Sequence, residues 1–262
     1  MRLAVLGSGS SGNAIVVESA GRRLLVDVGF SARQIGLRLE TLGEDPSRLE
    51  ALLLTHEHQD HCRGAATLVR RHGFPIYATE GTFRGCSLKS DLPGERHVIR
   101  SGEPFEVADT FQVEAFRVPH DAREPVGFVI EDSAGSRLGV VADLGCRSQL
   151  AWGRLLDLDA VVIETNHDLS MLRSGPYPWH LKQRVASRHG HLSNEEAAHG
   201  IRELLDDRLR HVVLYHLSRT NNLPALAAQA IGEQLEACGS TAEIVLTQQN
   251  EPTSWLQIDR AD

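Results

Sequence analysis

The chain has 262 residues, a formal net charge of -8 at pH 7 and 41% hydrophobic residues, enough for a single domain with a sizeable core. The acidic balance argues against a protein that coats nucleic acid through bulk charge. No apolar run reaches the length of a membrane span or a signal-peptide core, so a cytoplasmic location with no membrane partner is expected.

Residues 2–6 read as an apolar strand running into Gly7-Ser8-Gly9-Ser10-Ser11-Gly12-Asn13. Gly7, Gly9 and Gly12 match the G-x-G-x-x-G spacing of a dinucleotide-binding turn, but that turn needs a helix after it. Residues 13–18 are β-branched and apolar instead. The stretch therefore reads as a hairpin with a Gly/Ser tip, and no nucleotide cofactor is expected. Further strand-like runs lie at 23–28, 51–55, 75–78, 112–118, 126–131, 137–142, 160–165, 211–215 and 243–247. Helical patterns occupy 31–42, opened by Ser31 and Gln34, and 63–72, ending at Gly73. Two more lie at 195–205, behind a Ser193/Glu196 capping box, and at 222–238, with Pro224 in the first turn and Gly239 beyond the end. This order fits one α/β domain over 1–262 in which two packed mixed sheets carry helices outside; periodicity alone leaves a doubly wound sheet open. Cys62, Cys86, Cys146 and Cys238 lack C-x-x-C spacing, which fits a reducing compartment without a structural zinc site.

The strand at 51–55 delivers directly into His56-Glu57-His58-Gln59-Asp60-His61. His56 and His58, two apart at an extended strand end, point to one side, while Asp60 and His61 begin the turn into the next helix. Imidazole and carboxylate groups suit zinc, manganese or iron, and this cluster can serve two metals at once. A di-metal site needs more ligands, and three strand ends offer them: His120 after 112–118, Asp143 after 137–142 and His216 after 211–215.

His56-x-His58-x-Asp60-His61, with Asp27 in the strand before and His120, Asp143 and His216 in order after, resembles the metallo-β-lactamase fold superfamily over nearly the whole chain. The resemblance implies a four-layer αβ/βα sandwich of α+β type. It implies one metal on His56, His58 and His120 and a second on Asp60, His61 and His216, with Asp143 between them and Asp27 orienting the ligands by hydrogen bonds. Two divalent ions, zinc or manganese with iron as a further option, suit hydrolysis of phosphodiesters as well as of lactams, lactones and thioesters. In the related RNase Z branch a glutamate and a histidine at the places of Glu164 and His191 relay a proton to the leaving oxygen. An alkoxide leaves poorly, so a phosphodiesterase gains from such an acid. Asp60, orienting the attacking water, joins Glu164 and His191 as the expected catalytic residues. The glycine tip then stands at the cleft rim, with Ser8, Ser11 and Asn13 offered to an anionic substrate.

Segment 169–194 carries Arg173, Lys182, Arg184 and Arg188 with His180, His189 and His191 and no acidic residue. This reversal of charge reads as a basic loop insertion beside the metals, where Tyr177 and Trp179 are placed to stack on bases. The strings Gly7 to Asn13, Asn166-His167-Asp168, Gly175-Pro176-Tyr177-Pro178-Trp179, Gly190-His191-Leu192-Ser193-Asn194 and Asn221-Asn222 resemble the YycJ/WalJ (VicX) family. That resemblance implies 5′→3′ exonuclease action on DNA, with RNA as a further substrate and a role in DNA repair. His167, Arg173, Lys182, Arg184 and Asn221 are the expected substrate contacts. The stretch between Asp143 and His216 is too short for the extra β-CASP domain of RNase J relatives, so an open cleft is expected. The competing reading is a small-molecule hydrolase of lactone or thioester type on the same fold; the residues carry no signal for oligomeric state.

Overall fold

The computed structural model describes residues 1–86, 88 and 91–259, and in it the chain builds two mixed seven-stranded sheets. The first contains β1 (Arg2–Gly7), β2 (Ala14–Ser19), β3 (Arg22–Val26), β4 (Ala51–Leu53), β5 (Ile76–Ala78) and β6 (Arg96–Val98), side by side in chain order. β1 to β3 form an antiparallel meander and β3 to β6 run parallel. The second contains β7 (Pro104–Val107), β8 (Phe111–Arg117), β9 (Val126–Asp132), β10 (Arg137–Val141), β11 (Ala160–Glu164), β12 (His211–Tyr215) and β13 (Glu243–Leu246). It is antiparallel from β7 to β10 and parallel from β10 to β13. The last strand, β14 (Leu256–Gln257), returns to pair with β1. The division into two sheets removes the doubly wound alternative.

Side-chain alternation places the core. Along β1, Leu3 and Val5 enter the cluster between the sheets, while Ala4 and Leu6 belong to the cluster on the outer face, and all four are buried. Strands buried on both faces read as unbroken apolar runs, which is why they stand out in the sequence. Phe111, Phe128 and Tyr215 fill the space between the sheets. The helices are α1 (Ala32–Thr41), α2 (Gln59–Cys62), α3 (Ala65–His72), α4 (Glu80–Gly85), α5 (Gln149–Trp152), α6 (Leu169–Ser174), α7 (Trp179–Val185), α8 (Asn194–Leu204) and α9 (Pro224–Ala237). Ile35 and Leu39 of α1 with Leu68 and Val69 of α3 cover the first sheet. Trp152 of α5, Ile201 of α8 and Ile231 of α9 cover the second. The four-layer αβ/βα sandwich is therefore present. No helix among the described residues is long and apolar enough to cross a membrane.

The cap chemistry follows the sequence: Ser31 and Gln34 form a full capping box, Ser193 accepts from the Glu196 amide, and Gly73 and Gly239 end their helices at φ 76° and 66°. Three short strands, β6, β7 and β14, carry too few β-branched residues to register as strands in the sequence. Segment 169–194 needs a correction, because it is not a loop: α6 and α7 occupy much of it, and Asp168 caps α6 by accepting from the Met171 amide at 2.7 Å. Gly175, Pro176 and Pro178 punctuate the segment so densely that neither short helix shows a period. β8, β10, β11 and β12 all finish at the same end of their sheet, and each delivers a polar side chain there: His120, Asp143, Glu164 and His216.

Candidate metal centre

The backbone at two of the site residues is strained. Asp27 and His216 take left-handed conformations, φ 60° and 57°, which non-glycine residues hold only where their surroundings impose it. At Asp27 the surroundings are visible. Oδ1 accepts from the Thr55 amide at 2.8 Å, and Oδ2 accepts from the Thr55 hydroxyl at 2.7 Å and from His61 Nδ1 at 2.7 Å. Having donated its proton to Asp27, the Thr55 hydroxyl accepts from His56 Nδ1 at 3.0 Å. One carboxylate thus sets the tautomers of two imidazoles and turns Nε2 of each toward the site. His120 is set in the same way by the Gly190 carbonyl, 2.9 Å from its Nδ1.

Seven side chains converge at this end. His56, His58, His120 and Asp143 offer donor atoms all within 4.8 Å of one another, and so do Asp60, His61 and His216. Asp143 lies between the two sets. Its Oδ2 is 3.8 Å from His56 Nε2 and 3.5 Å from His120 Nε2; its Oδ1 is 3.3 Å from His61 Nε2 and 3.2 Å from His216 Nδ1. Whether metal ions fit can be judged from atoms left without partners. Among the described residues, His56 Nε2 and Asp143 Oδ1 are buried with no hydrogen bond, and such groups are costly unless something pairs with them. His58 Nδ1 faces His120 Nε2 at 3.2 Å, where two lone pairs repel unless a proton or a cation lies between. Divalent ions relieve all of this, and an N/O donor set accepts zinc, manganese or iron alike.

The electrostatics divide the histidines. Burial pushes His56 and His120 down into the neutral form that binds metal. Burial opposes charge on His61 and His216 too, but Asp143 and the neighbouring carboxylates outweigh it, and His216 is raised to about 10. At Asp60 burial again opposes ionisation, and the His61 and His216 imidazoles nevertheless hold the carboxyl at about 2.

Glu164 is fully buried and saturated. Oε2 accepts from the Leu144 and Leu192 amides at 2.8 and 3.0 Å, while Oε1 lies 2.7 Å from His191 Nδ1 and 2.9 Å from His216 Nδ1. Although Glu164 also clusters with Asp143, His191 and His216, four donors on two oxygens leave it little capacity to bind an ion. Burial works against charge on His191, and Glu164 overrides it to raise the imidazole. With Nδ1 engaged, Nε2 is the nitrogen His191 has left for proton exchange.

A cavity of about 340 Å³ opens over the cluster, with His58, Asp60, Asp143, His191 and His216 on one side and Tyr177, Leu181 and Arg184 on the other. Two of the expected substrate contacts line it. Arg184 does so while donating from Nε to Asp121 Oδ2 at 2.6 Å, and Asn221 does so with a buried, unpartnered Oδ1. The others are placed elsewhere. Ser8 Oγ accepts from the His216 amide at 2.7 Å and donates to Asn13 Oδ1 at 3.0 Å; Asn13 Nδ2 reaches His61 Nε2 at 3.1 Å. Both are buried and brace the histidines, and neither lines this cavity. Ser11 is exposed, its amide donating to Gln249 Oε1, while His167 is buried and Lys182 Nζ sits on the Arg173 carbonyl at 2.7 Å. None of these four lines the cavity. The expected basic wall reduces to Arg184, because folding 169–194 into α6 and α7 leaves Arg173 and Lys182 outside.

Residues without an assigned role in the sequence reading also contribute. Asp121 lies 3.4 Å from His120 Nε2 and 3.9 Å from His58 Nε2, signalled only by its place after His120. Asn166 Nδ2 donates to the His216 carbonyl at 2.9 Å, holding the left-handed turn, and Thr55 carries the hydrogen-bond chain described above. His167 provides a test of the packing around them. Burial takes its imidazole down to about 4 from the ordinary 6.5. The unfolded chain therefore takes up this proton first, so the stabilisation is complete above about pH 6.5 and lost as pH falls toward about 4, on the order of 3 kcal/mol in all. Urea midpoints measured at neutral and mildly acidic pH are expected to differ less for His167→Gln than for the parent.

A family model described as Beta-lactamase superfamily domain matches residues 22–217. Exodeoxyribonuclease YycJ of Bacillus anthracis is 34% identical over 240 residues, covering 91% of this chain and 90% of its own. Exodeoxyribonuclease WalJ of Streptococcus pneumoniae is 36% identical over 240 residues, covering 89% and 88%. The crystal structure of Zn(2+)-bound PqqB from Methylobacterium extorquens shares the fold, with a TM-score of 0.72 at 21% identity over 97% of this chain and 99% of that one. The chain belongs to the β-lactamase superfamily of metal-dependent hydrolases, in the branch that contains YycJ and WalJ.

Proposed function

We propose that this chain is a two-metal phosphodiesterase that removes nucleotides from the ends of DNA in the 5′→3′ direction. The observation that carries the reading is the Glu164–His191 pair at the cavity, a positioned acid suited to an alkoxide leaving group. The exodeoxyribonuclease names of the two relatives support the choice of DNA. His56, His58 and His120 would hold one divalent ion and Asp60, His61 and His216 the other, with Asp143 between. When bound, such a pair supplies Lewis-acid stabilisation of charge on the phosphate and activation of water.

The chain's own residues do the rest. Asp60 stays ionised and accepts a hydrogen bond from the attacking water, which aligns it. His191 donates its proton to the leaving oxygen, and Glu164 holds the ring and stabilises its charged form while doing so. Arg184, released from Asp121, pairs with a flanking phosphate.

Protein stripped with a chelator and reloaded with zinc or manganese is expected to regain hydrolysis of bis(p-nitrophenyl) phosphate and to shorten end-labelled DNA. DNA affinity is expected to fall steeply with added salt. A reloaded sample that opens a lactone or thioester but leaves both phosphodiesters intact would overturn the reading.

A further inference from the structure

Beside the cavity over the histidines lies a second one of about 600 Å³, and Ser218 lines both. Arg219, Leu223, Leu246 and Asn250 form its walls, with the buried Ser8 and Gln249 at its base. Among the described residues no carboxylate lines it, in a chain whose net charge is -8. Arg219, the one cation lining it among the described residues, is exposed and makes a 3.2 Å hydrogen bond from Nη2 to Asn250 Oδ1, which leaves further guanidinium donors for a ligand. Leu223 and Leu246, 53% and 39% exposed, give the groove an apolar side. A cation, carboxamides and an apolar wall with no repelling charge match the alternation of phosphate and base along a single strand.

We propose that this groove is the track along which the nucleic-acid strand leaves the metal cavity, with Arg219 holding a phosphate and Leu223 and Leu246 supporting a base. The proposal rests on the phosphodiesterase reading above. It also gives the strand a path beyond Arg184, since Arg173 and Lys182 do not line the metal cavity. Continuity at Ser218 favours the substrate itself as occupant, because a site for a separate partner has no need to adjoin the histidine cluster. The base of the groove also bears on the site: Ser8 accepts from the His216 amide, and Gln249 Nε2 donates to the Gly12 carbonyl at 2.7 Å.

The test titrates a fluorescein-labelled, phosphorothioate-protected oligothymidylate of about twelve nucleotides into the metal-loaded parent, Arg219→Glu and Leu223→Glu, reading anisotropy. Turnover of bis(p-nitrophenyl) phosphate is measured on the same samples. For Arg219→Glu the dissociation constant is expected to rise about tenfold, with the slope of log affinity against log salt shallower by about one or more. Leu223→Glu is expected to weaken binding several-fold, and both variants are expected to turn over the small diester within about twofold of the parent, since it occupies only the metal cavity. Unchanged oligonucleotide affinity in both variants, or a parent that does not bind the oligonucleotide, overturns the proposal. A parent that binds the strand but turns over no phosphodiester overturns the functional reading instead, and the affinity comparison still decides the groove.

Discussion

Replacing His191 with alanine is expected to lower kcat on DNA by about 10²–10⁴-fold, while metal content measured by mass spectrometry stays at the parental level. The imidazole is held through Nδ1 by Glu164 and is not needed to complete either donor set of the candidate centre. Its loss therefore removes a proton source without emptying the site. The leaving group provides the control. A p-nitrophenolate departs as a stable anion and needs no proton, so bis(p-nitrophenyl) phosphate is expected to be hydrolysed by the variant at close to the parental rate. Equal losses on DNA and on the activated diester would point to damage at the metals and would remove His191 from the role of acid.

The second large effect is expected at Asp27, which does not line the cavity but organises two histidines of the candidate centre, His56 and His61. Asp27→Ala removes the acceptor from the Thr55 amide, the Thr55 hydroxyl and His61 Nδ1 in one step. The buried amide alone, left without a partner, costs about 1–3 kcal/mol. Metal affinity is expected to fall about 10–100-fold, as it does when an outer partner of a metal-binding histidine is lost. A chromophoric chelator in competition reads the affinity and urea denaturation of the metal-free protein reads the stability. Asp27→Asn keeps one acceptor oxygen and is expected to recover part of each loss. Parental metal affinity in both variants would mean that His56 and His61 are oriented by packing alone.

The two variants differ because the residues concerned sit at different levels of the architecture, and the sequence reveals those levels unequally. His56 and His216 are legible because each follows a doubly buried, apolar strand: Leu52 to Leu54 lead to His56, and Val212 to Leu214 lead to His216. An acid or imidazole at such a boundary is conspicuous. The braces are not, since their roles depend on direction in space. Ser8 and Asn13 have the composition of a phosphate-binding tip, yet these two turn inward and their polar atoms are spent on His216 and His61, while the exposed Ser10 reaches the cavity lining. Charge misled for a related reason. Segment 169–194 is basic in sequence, but two short helices distribute its cations over different faces, and only Arg184 reaches the cavity lining among those expected to meet substrate. Asp121 and Asn166 are ordinary loop residues in one dimension and acquire meaning only because the fold brings them to His58 and His216.

The return of β14 to β1 has a bearing on how the molecule is made. The hexad His56 to His61 leaves the ribosome long before Asp143, Glu164 and His216, and the sheet that carries it gains its edge partner only when Leu256 has been synthesised. Contacts between such distant parts of the chain make for slow, late closure. A nascent polypeptide that has gained His61 but not yet His216 thus carries only part of the donor set.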